Sequence, residues 1–384
     1  MTDRQPGPLH RRGPRPLLLH LTLAGLKSMS SVAASGSLKP DWTLFNPAMA
    51  ETLAQDSALL AGIAAYRRHP WTRDLADPPA IWNEGESRIL DFSTGPSAGP
   101  PLLFVPSLVN RATVLDLAPG QSMLRWFAAQ GQRALLLDWG WPGAVEREFD
   151  LTAYIAGRLE RAIASVGEPV VLVGYCMGGL LALAATLRQP SRVAALVLLA
   201  TPWDFHAGDA ARGTAAAAVL PLLEATMALG GALPIDALQT LFALLDPYAV
   251  GDKYRRFASL DQASPRAQMF VAIEDWLNDG VPLAAPVARQ VLGEWYGENR
   301  PGRGAWRVAG EIVDPARLKL PCFVAIPAND RIVPPESAEP LALAIADAHF
   351  HRPTAGHVGM VAGSTARRAL WEPLLAWVTA QNKG

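Results

Sequence analysis

The sequence predicts an α/β fold: a mostly parallel sheet with helices on both faces and a helical cap inserted between two of its strands. Three observations carry this. From residue 101 onward, short runs of Val, Leu and Ile alternate with amphipathic or alanine-rich stretches, the pattern of parallel strands buried on both faces. One such run, Val170-Val171-Leu172-Val173, ends in Gly174-Tyr175-Cys176-Met177-Gly178-Gly179 and passes directly into a helical stretch. Between about 205 and 317 the strand signals stop while helical ones continue, and strand character resumes at 320.

The elements follow in order. The spacing predicts strands over 102–105, 133–138, 170–173 and 193–200, with helices over 121–130, 151–166 and 180–187 between them. Helices are expected at 214–229 and 236–245 within the insertion. A strand over 320–326, a helix over 336–346, a short strand over 349–352 and a final helix over 366–380 complete the sheet unit. The expected division is an N-terminal helical or irregular region at 1–95, a first part of the core at 96–204, the cap at 205–317 and a second part of the core at 318–384. Within the first region, 66–82 reads as an irregular packed segment.

Composition narrows the function classes. At 384 residues, half of them hydrophobic and 18% charged, the chain supports a substantial core and little disorder. Its formal net charge of −1 offers no electrostatic footprint for nucleic acid. Two cysteines, Cys176 and Cys322, make neither a disulfide framework nor a zinc site, and no metal is expected. Cys322 lies in an apolar run and reads as core. Near the N-terminus, Arg11, Arg12 and Arg15 precede the apolar residues 17–26, a loose imitation of a signal peptide. The run is short, contains His20 and is followed by Lys27. It reads as a helix lying on an apolar surface, and no transmembrane segment is expected.

The chemistry is concentrated at the glycine-flanked cysteine. A strand, a tight turn Gly-x-Cys-x-Gly and a helix form a nucleophile elbow, here with a thiol. The turn holds its central residue in a strained backbone conformation that only small neighbours tolerate, hence Gly174 and Gly178. Cys176 is then at the carboxyl edge of the sheet, at a helix N-terminus that favours an anion. The competing reading is a buried structural thiol at a tight turn. A thiol nucleophile needs a base, and the base an orienting acid. In elbow enzymes the order is nucleophile, acid, histidine. Asp330 follows the strand at 320–326, and His357 follows the short strand at 349–352, one strand–helix–strand unit later. Read singly, Asp330 is also a turn-closing aspartate and His357 a loop histidine. Asp138 and Asp204 also fall at strand ends and read as structural or cleft-shaping. His206 and His351 read as surface or cap residues. The oxyanion donors expected are the backbone N–H of Met177 and one from the loop after the first core strand, at Leu108 or Val109. Together these features specify an α/β-hydrolase-type fold. A thiol exchanges one thioester for another without losing acyl activation, which suits transfer to a hydroxyl better than hydrolysis.

These residues resemble the polyhydroxyalkanoate (poly-3-hydroxybutyrate) synthases. The resemblance runs through 101–111, Leu115-Asp116-Leu117, Leu137-Asp138-Trp139-Gly140, the Gly-x-Cys-x-Gly box, Thr201-Pro202-Trp203-Asp204-Phe205, residues 274–279, Val333-Pro334-Pro335 and Gly356-His357-Val358-Gly359. It implies an acyltransferase that polymerises 3-hydroxyacyl-CoA and releases CoA. Cys176 carries the chain as a thioester, His357 deprotonates the thiol, and Asp330 orients His357 or helps activate the incoming 3-hydroxyl. No cofactor is implied, since CoA is the leaving group. Implied partners are 3-hydroxyacyl-CoA, the growing polyester, a second copy in a homodimer, and a separate synthase subunit or the polyester granule surface. The implied location is cytoplasmic, at such granules. The chain departs from the family at Arg331, where a histidine is usual, and at Ala355, where a glycine is usual; both bear on substrate preference and on polymerase competence. Two other readings stand beside this one: a thioesterase or intracellular polyester depolymerase of the same fold, and a non-catalytic granule-associated homologue. The basic residues Lys253, Arg255 and Arg256 either meet CoA phosphates or form a solvated helix face.

Overall fold

The computed structural model describes residues 11–35, 42–97, 99–208 and 210–381. Parts of the expected N-terminal region, 1–10 and 36–41, lie outside the described residues. The chain forms two compact units, Met1–Asp74 with Asp236–Asp279, and Leu75–Ile235 with Gly280–Gly384. The stretch expected as one cap, 205–317, is therefore divided between them. Its middle part shares a core with the N-terminal helices.

In the first unit, helices Leu17–Ser35, Trp42–Arg68, Ala249–Ala258 and Pro265–Asn278 enclose an aromatic core. Phe257 and Phe270 stack with centroids 4.2 Å apart, and Tyr66 meets Tyr254 edge-on at 5.6 Å. Ser264 caps the last of these helices by accepting the Ala267 N–H, with Pro265 at its first turn. The apolar N-terminal run 17–26 is helical, and Leu17, Leu21 and Ala24 pack on this core. No helix among the described residues is long and apolar enough to cross a membrane. Lys253 pairs with Glu274 at 2.6 Å, and Arg255 with Asp252 at 2.9 Å. Asp275 accepts from Tyr66 Oη at 2.8 Å and Arg11 Nε at 2.7 Å. Lys253–Glu274 and Tyr66–Asp275 thus join helices, while Arg255–Asp252 lies within one.

The second unit is built on an eight-stranded sheet. Its strands are β1 (Ala80–Glu84), β2 (Ser87–Asp91), β3 (Leu102–Val105), β4 (Ala134–Asp138), β5 (Val170–Tyr175), β6 (Val193–Leu199), β7 (Cys322–Ala325) and β8 (His349–His351). Their spatial order is β1-β2-β4-β3-β5-β6-β7-β8. The first two pairings are antiparallel and all the rest parallel. β5 is central and buried along its whole length, which is why it reads as a continuous apolar run. Its register sets Val105 beside Gly174 on one side and Leu199 beside Tyr175 on the other.

The hairpin β1–β2 corrects the expectation of an irregular region up to residue 95. It turns at Gly85, whose φ is +55°. It is anchored by the buried Ile89 and Leu90 of β2 and, on β1, by ion pairs: buried Arg158 binds Glu84 at 3.0 Å and Glu146 at 2.9 Å. Two other expected helices are subdivided. The stretch 214–229 falls into Ala210–Ala218 and Leu220–Gly230, separated just before Pro221, which lacks the N–H a continuous helix needs. The stretch 151–166 is π-helical over Ala153–Leu159 and α-helical over Glu160–Ser165.

Candidate active site

Cys176 follows β5 directly and caps the helix Met177–Arg188. Its φ of +56° with ψ of −128° is the strained conformation expected of an elbow. Its N–H donates to Leu199 O at 2.8 Å, and its carbonyl accepts the Gly179 N–H at 2.9 Å. The glycines are required by space. A Cβ on Gly174 would stand 2.4 Å from Gly179 Cα, and one on Gly178 would stand 2.1 Å from Val105 O and 2.6 Å from Pro106 O. All of these neighbours are backbone and cannot swing away. Gly178→Ala is expected to cost about 1–3 kcal/mol or more, the usual scale of overpacking. Chemical denaturation measures it, and an unchanged midpoint would contradict this close approach.

The same approach brings the loop after β3 to the helix N-terminus. Val109 N–H donates to Ser107 Oγ at 3.0 Å, so of the two expected donors Leu108 has the N–H not drawn into that turn. Met177, at the first helical position, has an N–H with no acceptor inside the helix.

Asp330 and His357 meet because their loops are paired beyond the strands. Ile326 N–H donates to His351 O at 2.9 Å, Ala328 N–H to Pro353 O at 3.0 Å, and Asn329 N–H to Ala355 O at 3.0 Å. The β7–β8 pairing thus continues past its last rung and delivers Asp330 and His357 side by side. Their contact, His357 Nδ1 to Asp330 Oδ2, is 2.7 Å, with both residues buried. The other carboxylate oxygen, Oδ1, accepts the N–H groups of Ile332 and Val333, each at 2.9 Å. A carboxylate held this way accepts at Nδ1, which puts the proton there and leaves Nε2 as the basic nitrogen.

Cys176 lies within hydrogen-bonding reach of the His357 side chain. Burial works to lower the pKa of that ring. The negative charge on Cys176 and the bonds to Asp330 and Cys176 outweigh it, and the value is raised to about 10. The imidazole beside the thiol is therefore more readily protonated than a free one. Tyr175, inside the elbow, donates from Oη to His357 O at 3.2 Å. Burial first, then the charges of Cys176 and Asp330, push its phenol well above the usual range.

The rival acids have other work. Asp138 pairs with Arg88 at 3.0 Å and accepts the Gly140 N–H. Asp204 accepts from Asn299 Nδ2 at 2.8 Å and from the His206 N–H at 2.9 Å. His206 Nε2 bonds Tyr296 O, and His351 Nε2 bonds Ala369 O. Tyr296 is a neighbour of the thiol that the sequence did not signal: burial and the Cys176 charge push its phenol up to about 12. Cys322 is buried in β7, and burial raises its thiol to about 12. Iodoacetamide is expected to label native protein only at Cys176 and the denatured chain at both cysteines. Native labelling at Cys322 would contradict its burial.

The chain is similar to three polymerase subunits, each called "Poly(3-hydroxyalkanoate) polymerase subunit PhaC". The protein from Haloferax mediterranei is 27% identical over 79% of this chain and 64% of its own length. That from Haloarcula marismortui is 27% identical over 74% and 62%, and that from Allochromatium vinosum 28% identical over 74% and 82%. The chain thus spans a little under two thirds of the length of the first two. The protein-family model for the alpha/beta hydrolase fold matches residues 100–363, from just before β3 to just beyond His357. With that match over more than half its length, the chain belongs to the alpha/beta hydrolase fold family.

Proposed function

We propose that this chain is an acyltransferase of the polyhydroxyalkanoate synthase type, which transfers 3-hydroxyacyl groups from CoA through a thioester on Cys176. The observation that carries the reading is a thiol at a strained elbow beside a buried His357–Asp330 pair. The similarity to polymerase subunits from three organisms supports it.

The steps balance as follows. The Cys176 thiolate attacks the thioester carbonyl while His357 holds the proton at Nε2. The carbonyl oxygen becomes an oxyanion opposite the N–H groups of Met177 and Leu108. The bond to the CoA sulfur breaks, and His357 returns its proton to that sulfur. The acyl group is now on Cys176 and free CoA leaves. A 3-hydroxyl then attacks the new thioester, giving its proton to His357, and an ester forms as the Cys176 sulfur departs. Asp330 holds the ring throughout. Both its oxygens are engaged in the resting site, so orienting His357 is its part, rather than activating the incoming hydroxyl.

The reading is tested by incubating the protein with 3-hydroxybutyryl-CoA, alone and with a granule preparation, and following CoA and polymer together. CoA release with polymer supports it. CoA release without polymer points to a thioesterase, loss of preformed polymer to a depolymerase, and granule binding without turnover to a silent homologue; each of these overturns it.

A further inference from the structure

A second aromatic hydroxyl stands near the thiol, on Tyr296. It belongs to the π-helical stretch Gln290–Gly297, and several contacts fix it to the segment that leaves β6. His206 Nε2 bonds Tyr296 O at 2.8 Å, and the Phe205 ring meets the Tyr296 ring edge-on at 5.0 Å. Three residues on, Asn299 Oδ1 accepts the Phe205 N–H at 2.9 Å, and Asn299 Nδ2 donates to Asp204 at 2.8 Å. That segment starts next to Cys176, whose N–H is bonded to Leu199 O at the end of β6. Tyr296 is thus held over the carboxyl edge of the sheet, within the electrostatic reach of the thiol. Yet among the described residues its hydroxyl makes no hydrogen bond, although it is partly buried with Phe205 and Trp295 close by. A phenol is protonated at neutral pH, so this hydroxyl is an available donor.

A 3-hydroxyacyl group on Cys176 has two polar groups. Its carbonyl faces the backbone donors of the elbow. Its 3-hydroxyl, two carbons further on, needs another partner in aromatic surroundings, where an unpaired hydroxyl is costly. The Asp330 oxygens are already engaged, whereas the phenol is a donor at the same edge of the sheet with no hydrogen bond of its own among the described residues. We infer that the Tyr296 hydroxyl hydrogen-bonds the 3-hydroxyl of the bound acyl group and so selects 3-hydroxyacyl over plain acyl thioesters. This rests on the proposed function, but only on its first half, acylation of Cys176.

The test compares wild type and Tyr296→Phe, each with 3-hydroxybutyryl-CoA and with butyryl-CoA. It reads initial acylation by intact-mass spectrometry and CoA release by chromatography. The phenylalanine ring preserves the contacts with Phe205, and acylation by butyryl-CoA reports whether the site is intact. Tyr296→Phe is expected to lower acylation by 3-hydroxybutyryl-CoA about 10–100-fold, and to leave butyryl-CoA within about 2-fold of wild type. Equal losses on both substrates would show that the phenol acts on the thiol or carbonyl instead, and no loss on either would show that it does nothing; both overturn the inference. If wild type is acylated by neither substrate, the proposed function itself fails and takes the inference with it.

Discussion

Cys176→Ser is expected to remove transfer while keeping the fold. The substitution exchanges one atom at a partly exposed position, with the strained backbone and both flanking glycines unchanged. The chemistry changes far more. A thiol gives up its proton to an imidazole far more readily than a serine hydroxyl does. Attack would then need a full proton transfer to His357 within the transition state. A serine ester would also discard the thioester's activation before the second step. CoA release is expected to fall at least roughly 10³-fold. Tm is expected to shift by no more than about 2–4 °C, the scale of a 1 kcal/mol change. Intact-mass spectrometry adds a qualitative check, because wild type should gain the mass of the acyl group and the variant should not. Turnover at the wild-type rate with a folded variant would remove Cys176 from the reaction.

The strands β3 to β7 were legible because they are buried on both faces. They therefore appear as unbroken Val, Leu and Ile runs, and the elbow glycines follow from contacts under 3 Å that no side chain tolerates. The hairpin β1–β2 was not legible. It lies at the sheet's edge, half exposed, and Glu84 is paired with Arg158 and Arg161 from a distant helix. Sequence periodicity reports apolar burial, not long-range ion pairs. The insertion misled for a related reason. Its helices carry apolar faces that do not name their partners, so nothing local showed that 236–279 shares a core with residues before 75.

The site was legible in its chemistry and incomplete in its surroundings. Cys176, Asp330 and His357 each follow a strand in a fixed order, and strand ends are where a parallel sheet gathers its polar groups. The choice between Leu108 and Val109 required the Ser107 turn to be visible. Tyr175 and Tyr296 were missed because one reads as a strand residue and the other as part of an aromatic helix face. Only the fold sets Tyr175 against His357 and Tyr296 against Phe205.

Asp330→Asn should expose what the buried carboxylate does. The substitution is nearly isosteric, and an asparagine oxygen can still accept the N–H groups of Ile332 and Val333. Its amide nitrogen would then face His357 Nδ1, donor toward donor. The ring resolves that clash by moving its proton to Nε2, the nitrogen that should receive one from the thiol. A wrong tautomer of this kind costs about 10⁴-fold in the well-studied serine case. Here the expected loss in kcat is roughly 10²–10⁴-fold, because the Cys176 charge still favours the protonated ring. Loss of the carboxylate should also lower the His357 pKa from about 10. The sign for stability follows from linkage. A histidine raised above 6.5 in the folded state stabilises fully below 6.5 and loses that contribution as pH rises through the folded value. The stability gap between wild type and variant should therefore be widest in mild acid and narrow toward pH 10. An NMR titration of the imidazole gives the shift directly, and denaturation at several pH values gives the gap. A merely structural aspartate would leave the titration where it was. An unchanged imidazole titration beside an unchanged kcat would show that Asp330 neither orients nor charges the ring.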